Sequence, residues 1–213
     1  MKKGLLLAST VAFAFLLTTT QQSRADGSQS GSNGGYVWGL YWLGSGSAAI
    51  TFPNGGGNYK ITWTSPVSDV SGGKGWRPGQ IRAVNYNCGQ LTTYNSFGVY
   101  GWTENPTIEY YINDISKGGG TRIGTVSSDG ATYNVVVQER VNAPSPFGTQ
   151  TFWQYIDNRQ SNNSLGANHT ITMANHINYW KAHGGHGWGT TLYDTFLNFE
   201  AFSGPGTCNA TVW

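Results

Sequence analysis

The chain has 213 residues, of which only 10% are charged, and its 12 basic and 10 acidic side chains give a formal net charge of +2. Lys2, Lys3 and Arg24 are three of those basic residues, so the rest of the chain carries nine bases against ten acids, a net charge of −1. Nucleic acids and anionic lipid surfaces bind concentrated positive charge, so this composition argues against both as partners and favours an uncharged polar ligand.

The first 25 residues have the composition of a secretory signal peptide. Two lysines precede an apolar run of thirteen residues, LLLASTVAFAFLL, and Ala25 ends a segment with small residues at the positions that signal peptidases recognise. The run is shorter than the roughly 20 residues that span a bilayer, which disfavours the alternative of an uncleaved membrane anchor. We therefore expect a secreted, extracellular protein whose mature chain begins near Asp26.

The remaining residues predict one all-β domain. The segment SQSGSNGG is rich in serine and glycine, so we expect residues 26–34 to be a flexible lead-in to a single domain over residues 35–213. In NYKITWTS, Tyr59, Ile61 and Trp63 alternate with polar residues, which is typical of a strand with one solvated face. Abundant glycine and aromatic residues with few long helix formers favour short strands in a sandwich or barrel.

One segment predicts a helix. Within residues 172–183, Met173, Ile177 and Trp180 recur at helical spacing, and Gly184 follows the last turn. We interpret this apolar stripe as a face that packs on the sandwich, not as a cofactor contact.

The histidines do not indicate a metal site. The four histidines are His169, His176, His183 and His186. Their spacing matches no recognised ligand pattern with cysteines or carboxylates, so we expect surface or capping histidines. Phosphate-binding loops, nucleophile elbows and dinucleotide fingerprints are also missing from the sequence, and we expect no metal and no cofactor.

Two glutamates in aromatic-rich, strand-like segments are candidate catalytic residues. Glu109 lies in VYGWTENPTIEYY and Glu200 in TFLNFEAFSG, and a buried charge is costly there unless it is paired or used. Retaining glycosidases need two carboxyl groups about 5–5.5 Å apart, next to aromatic rings on which sugars stack. Strand alternation places Tyr111 on the face of Glu109 and Tyr110 on the opposite face. The residues alone leave open a buried structural pair.

Six segments follow one another along the chain: GGKGWRPG, VYGWTENPTIEYY, RVNAPS, FWQYIDNRQ, NHINYWKAHG and FEAFSG. In sequence and order they resemble glycoside hydrolase family 11, the β-jelly-roll endo-1,4-β-xylanases, from about Gly35 to Trp213. The resemblance implies a sandwich of two curved antiparallel sheets with one helix and a thumb hairpin. It also implies retaining hydrolysis of xylan and xylo-oligosaccharides, with Glu109 as nucleophile and Glu200 as acid/base.

The resemblance implies further roles near the two glutamates. Tyr100 and Tyr111 match tyrosines that hydrogen-bond the nucleophile, and Arg140 matches a cleft residue at the base of the thumb. Pro144 lies in the thumb tip, and Gln154 matches a polar residue of the cleft.

Two other positions concern the sugar and the pH dependence. Trp42, in LYWLGSG, matches a tryptophan that stacks on a xylose ring. Asp69, in VSDVSGGKGW, matches a position beside the acid/base where aspartate is associated with an acid-shifted pH optimum. Because neighbouring carboxyl groups titrate as a coupled pair, we expect an acidic optimum here. An ordinary turn aspartate is the alternative for this position.

The sequence departs from the family pattern at several positions. The thumb tip usually reads Pro-Ser-Ile, whereas Pro146 and Phe147 follow Ser145 here, and Ala201-Phe202 replaces the usual Gly-Tyr after the acid/base. These changes leave the catalytic groups in place, and they leave open the strength of the sugar subsites and the preferred chain length.

Cys88 and Cys208 are a candidate disulfide. They are an even pair in a chain that we expect to be secreted. In the family fold, the strands that carry them are neighbours in the outer sheet.

Two alternatives to the xylanase remain open. A non-catalytic carbohydrate-binding β-sandwich would also be aromatic-rich, weakly charged and secreted, but it would not need both glutamates. An endoglucanase of a related jelly-roll family would need them. In each case we expect a monomer.

Overall fold

The computed structural model describes residues 26–213, and the predicted signal peptide, residues 1–25, lies outside them. The strands, in chain order, are β1 (Gly27–Asn33), β2 (Tyr36–Leu43), β3 (Ala48–Thr51), β4 (Asn58–Trp63), β5 (Asp69–Trp76), β6 (Ala83–Thr92), β7 (Ser96–Glu104), β8 (Ile108–Ser116), β9 (Arg122–Ser128), β10 (Ala131–Ala143), β11 (Gln150–Arg159), β12 (Asn168–Thr172), β13 (Thr191–Leu192), β14 (Thr195–Ala201) and β15 (Gly206–Val212). The helix α1 spans Met173–His183. No helix among the described residues is long and apolar enough to cross a membrane.

The strands form two sheets. In the larger one the order is β1-β2-β5-β14-β7-β8-β11-β10-β9, with β13 paired beside β7. The smaller sheet has the order β12-β6-β15-β4-β3. The predicted all-β architecture with one helix is therefore confirmed.

The main core lies between the facing sides of the two sheets. Tyr59, Ile61 and Trp63 of β4 are buried, as their alternation predicts. The ring of Trp63 stacks on Phe199 of β14 with 4.8 Å between ring centroids. Each such side chain contributes roughly 1.5–3 kcal/mol when it is buried completely, so this layer stabilises the larger sheet on its inner side. The candidate site lies on the opposite, outer side of that sheet.

Glycines of the GGKGW segment allow β5 to lie close against β14. A Cβ atom added at Gly73 would lie 2.1 Å from the carbonyl oxygen of Leu197, and one added at Gly75 would lie 2.0 Å from that of Thr195. Any larger residue would therefore push the two strands apart. Because β14 also carries Glu200, these glycines position one of the two candidate catalytic strands.

The larger sheet is not wholly antiparallel, contrary to the expectation of two antiparallel sheets. β8 and β11 pair in parallel, and this places Gln154 directly beside Glu109. The chain crosses from β8 to the outer strand β9 and returns through β10, so β11 enters beside β8 in the same direction.

The serine- and glycine-rich segment is a strand, so the expectation of a flexible lead-in over residues 26–34 is wrong. Gly27–Asn33 pairs antiparallel with Tyr36–Leu43 along its whole length. Gly34 and Gly35 make the turn between them with φ angles of 61° and 84°, which glycine adopts without strain. Backbone pairing at a sheet edge does not require apolar side chains, and the sequence pattern gave no signal of it.

The predicted helix is confirmed, and its three apolar residues are buried. His176 is buried with them, so the expectation of a surface or capping histidine is wrong for this residue. Its Nδ1 atom lies 2.6 Å from a carboxylate oxygen of Asp157, which also accepts a hydrogen bond from Trp180. This buried acceptor lets a histidine occupy the apolar face of the helix.

Cys88 and Cys208 are free, buried thiols in the structure, so the candidate disulfide is not formed there. The strands that carry them, β6 and β15, are neighbours in the smaller sheet, as the resemblance implies. Burial, followed by the interaction with the thiol of Cys88, raises the pKa of Cys208.

Candidate active site

Glu109 lies on the outer side of the larger sheet, in the second position of β8. Its carboxylate accepts hydrogen bonds from the hydroxyl groups of Tyr100 at 3.1 Å and Tyr111 at 2.9 Å, and from Nε2 of Gln154 at 2.5 Å. The side chain is only 7% exposed. Three neutral donors therefore converge on one buried carboxylate, and each of them favours its ionised form.

The outer side of the sheet also carries Glu200. The strand β7 lies between β8 and β14, and it pairs Trp102 with Glu109 and Ser96 with Glu200. Ser96 and Trp102 are an even number of residues apart on one strand, so their side chains and those of their partners share a face. The two predicted glutamates, 91 positions apart in the sequence, therefore belong to one surface.

The two glutamates differ in what surrounds them. Burial raises the pKa of Glu109, while Gln154, Tyr111, Tyr100 and the charge of Arg140 act in the opposite direction. Burial, followed by the charges of Asp69 and Glu109, raises the pKa of Glu200 to about 8, and Arg140 lowers it.

The hydrogen bonds indicate which of the two glutamates holds a proton. The carboxylate of Glu109 has three donors, whereas none of the side chains of residues 26–213 donates a hydrogen bond to Glu200. At neutral pH the proton is therefore expected on Glu200 and the negative charge on Glu109. Such a division of roles between two carboxyl groups suits acid/base chemistry.

Asp69 begins β5 on the same face as Glu200. Ser71 pairs with Glu200, and Asp69 lies two positions away from Ser71 on the same strand. Burial, followed by the charge of Glu109, raises the pKa of Asp69 to about 6. Its Oδ1 atom is buried and has no hydrogen-bond partner among the described residues. The resemblance implies that Asp69 lies beside Glu200, and the structure places the two side chains on one face of the sheet.

Arg140 and Gln154 lie on the same side of the larger sheet as the two glutamates. Gln138 of β10 pairs with Gln154, and Arg140 follows Gln138 by two positions, so all three face the outer side. The charge of Arg140 lowers the pKa of Glu109, Asp69 and Glu200 alike, so it lies near all three carboxyl groups.

Trp42 does not lie on the face of the two glutamates, so the stacking role implied for it does not fit the structure. In β2, Tyr41 pairs with Ser71 and Trp42 pairs with Val70, so Trp42 points toward the core side. The Trp42 ring covers Gly27 of β1 and packs against the core. Tyr41, which is 37% exposed, takes the position on the outer side. Because side chains alternate along β2, only one of these two neighbouring aromatic residues can face the glutamates.

The structure reveals two aromatic residues that sequence reasoning missed. Trp102 donates a hydrogen bond from Nε1 to the hydroxyl of Tyr100 at 2.6 Å, so it orients a donor of Glu109. Tyr193, in the segment between β13 and β14, packs against the cluster of Trp102, Ala143 and Phe152. The dipeptide GW in VYGWTENPTIEYY was a signal for Trp102, and no local pattern singled out Tyr193.

The thumb is the connection between β10 and β11. Pro144 is exposed and directly follows the last residue of β10. Below the tip, Ala143 and Phe152 pack on Trp102. Among residues 26–213, no cluster of three or more His, Cys, Asp or Glu side chains has an arrangement that could hold a metal ion.

Comparisons with known proteins show the family to which the chain belongs. The profile of Glycosyl hydrolases family 11 matches residues 33–211. Ethylene-inducing xylanase 1 of Botryotinia fuckeliana is 41% identical over 192 residues, which are 87% of this chain and 66% of that protein. Endo-1,4-beta-xylanase Xyn11B of Cellvibrio japonicus is 36% identical over 222 residues, 99% of this chain and 61% of that protein. The chain thus spans about two thirds or less of the length of these relatives.

A solved structure of a major endo-1,4-β-xylanase from T. reesei has the same fold. It superposes with a TM-score of 0.71 at 32% identity, over 86% of this chain and 98% of that chain. The two sheets, the single helix and the β-jelly-roll architecture are therefore shared. On the family profile, the sequence identities and this structural match, the chain belongs to glycosyl hydrolases family 11.

Proposed function

We propose that this protein is a secreted, retaining endo-1,4-β-xylanase. The observation that carries the proposal is the pair of carboxyl groups on one face: Glu109, held by three hydrogen-bond donors, and Glu200, whose pKa is raised to about 8. Membership of the family and the xylanase names of the relatives support the same activity.

The reaction takes place in two steps. Glu200 donates its proton to the glycosidic oxygen as the bond to the anomeric carbon breaks, and a carboxylate oxygen of Glu109 forms a bond to that carbon. In the second step, ionised Glu200 takes a proton from water, and the water oxygen attacks the anomeric carbon and displaces Glu109. Two inversions restore the original configuration at the anomeric carbon.

The neighbouring residues influence the ionisation of Glu109 and Glu200. Tyr100, Tyr111 and Gln154 stabilise the ionised carboxylate of Glu109 before attack, and they lose this interaction as the charge is consumed. Arg140 lies close enough to favour the ionised form of either glutamate. Burial opposes ionisation at both positions, so the donors around Glu109 and their absence around Glu200 separate the two roles.

The expected substrate is a neutral polysaccharide without a hydroxymethyl group. Xylose lacks the C6 hydroxymethyl group of glucose, so a narrow cleft below a thumb can exclude cellulose sterically. Tyr41 offers an exposed ring on the face of Glu200 on which a sugar can stack. We expect secretion by means of residues 1–25 and action as a monomer.

The proposal predicts release of reducing ends from xylan and no release from cellulose. The Glu109→Ala variant serves as control, because it should bind xylan without cleaving it. Xylan binding without hydrolysis by the natural protein would identify a carbohydrate-binding module instead, and cleavage of cellulose would identify an endoglucanase. Proton NMR of the first product formed from xylohexaose should show the β-anomer, and initial formation of the α-anomer would contradict the retaining mechanism.

Asp69→Asn is expected to move the alkaline limb of the pH dependence of kcat/KM to higher pH. The pKa of Asp69 is raised to about 6, so activity that needs its proton falls above that pH, which gives an acid-shifted optimum. Asparagine cannot ionise, so the alkaline limb would then reflect the ionisation of Glu200 next to a neutral side chain. Because removal of the Asp69 charge lowers the pKa of Glu200 from about 8, the new limb should lie between about 6 and 8.

The direction of this shift separates two roles of Asp69. If Asp69 acted only through its negative charge, the variant would lower the pKa of Glu200 and move the limb to lower pH. A shift to lower pH or an unchanged profile would therefore contradict the proton requirement. Glu139→Gln, on an exposed residue of β10 that faces the opposite side from Arg140, is a matched control for the loss of one carboxylate.

A further inference from the structure

The tip of the thumb touches the opposite side of the cleft. Phe147, within the tip (residues 144–149), lies with its ring centroid 5.0 Å from that of Tyr193, at an interplanar angle of 75°. This is the edge-to-face geometry that aromatic pairs prefer. Phe147 is 41% exposed, so the contact is made at the surface and not within a core. We call this contact the latch.

The Tyr193 side of the latch is held firmly. The guanidinium group of Arg77 lies 4.5 Å from the centroid of the Tyr193 ring and forms an ion pair of 2.9 Å with Asp194. Asp194 is buried and also accepts a hydrogen bond from the backbone N–H of Trp102 at 3.1 Å. Tyr193 is therefore a fixed anchor beside β7.

The Phe147 side is a tight turn with its own hydrogen bonds. The hydroxyl of Ser145 donates to the carbonyl oxygen of Gly148 at 2.7 Å and accepts from the backbone N–H of Phe147 at 3.1 Å. Gln150 donates a further hydrogen bond to the same hydroxyl at 2.7 Å. These hydrogen bonds tie the tip together, and the ring of Phe147 connects it to Tyr193.

The latch crosses the two strands that carry the nucleophile and its donors. The thumb connects β10 and β11, whereas Tyr193 lies just before β14, and β7 and β8 lie between these elements. Below the latch, Trp102 is only 4% exposed although it lies on the cleft face, because Ala143 and Phe152 cover it. The cleft is thus closed at this end, while Tyr41 leaves the other side open.

The geometry points to the latch as a determinant of substrate length. An internal segment of xylan extends beyond the site in both directions, so the rings of Phe147 and Tyr193 must separate before it can lie in the cleft. A short xylo-oligosaccharide can enter from the open side and end before the latch. The latch therefore lowers the rate on polymeric xylan relative to short chains, and this inference rests on the proposed xylanase activity.

The test compares kcat/KM on soluble xylan with kcat/KM on xylotetraose. The ratio of the two is expected to rise roughly two- to tenfold in Phe147→Ala and in Tyr193→Ala, since an aromatic pair contributes roughly 0.5–1.5 kcal/mol. The double variant should show no more than the larger single effect, because both changes remove one contact. Val141→Ala, at a 65% exposed position at the base of the thumb, is the control that should leave the ratio unchanged.

Hydrogen exchange gives a readout that needs no substrate. Amides of the thumb tip should exchange faster in Phe147→Ala than in the natural protein or in Val141→Ala. Unchanged exchange, an unchanged or lower ratio, or additive effects in the double variant would each overturn the latch. If the natural protein did not cleave xylan, the proposed function would fail, and the exchange experiment would still decide whether Phe147 holds the tip.

Discussion

Glu109→Gln is expected to reduce the hydrolysis of xylan by roughly 10⁴-fold or more, because an amide cannot form the glycosyl-enzyme bond. The substitution keeps the size of the side chain and an oxygen that can accept the hydrogen bonds of Tyr100 and Tyr111. Loss of activity would then reflect chemistry and not collapse of the site. Initial rates of reducing-end release would measure it, with thermal unfolding to confirm that the variant folds.

A control variant and the addition of azide test whether Glu109 is the nucleophile. Glu139→Gln removes an exposed carboxylate from β10 and should retain full activity. In Glu109→Ala, azide can occupy the vacated space and attack an aryl xyloside that carries a good leaving group. The expected product is the α-xylosyl azide, since a single displacement inverts the anomeric carbon. Formation of the β-azide would show that Glu109 is not the nucleophile.

Glu200→Gln is expected to reduce the hydrolysis of xylan by about 10²- to 10⁴-fold, the usual contribution of general acid catalysis. Glutamine cannot protonate the departing sugar oxygen, and burial with the charges of Asp69 and Glu109 is what keeps that proton on Glu200, whose pKa is about 8. The rate of the first step on a dinitrophenyl xyloside should fall much less, because dinitrophenolate leaves without a proton.

Two measurements test this role against a merely structural one. In the Asp69→Asn background, where the alkaline limb of the pH profile is expected to report Glu200, addition of Glu200→Gln should abolish that limb, since the group that must hold the proton is gone. Azide added to Glu200→Ala should yield the β-xylosyl azide, because Glu109 still makes the first displacement. An equal loss of rate on xylan and on the dinitrophenyl substrate would contradict a proton-donor role and indicate a role in binding or folding.

The two catalytic candidates were predictable from the sequence, and some of their surroundings were not. Strand alternation assigned Tyr111 to the face of Glu109, and the structure shows this tyrosine bound to its carboxylate. The same rule could not choose between Tyr41 and Trp42, because both lie in one aromatic strand and the choice depends on how β2 pairs with β5. A register shift of one residue would exchange the two faces.

Local sequence determined that the domain is built from short strands, where the helix lies and that Glu109 and Tyr111 share a face, because these depend on periodicities of two and 3.6 residues. It did not determine β1, because the serine- and glycine-rich segment of that strand has no apolar periodicity. The tertiary structure decided which of these residues lie next to one another. The order of strands brings Glu200 to the face of Glu109, a parallel pairing places Gln154 beside Glu109, and the thumb tip reaches Tyr193. Contacts between residues far apart in the chain depend on register and curvature of the whole sheet, and no short stretch of sequence encodes those.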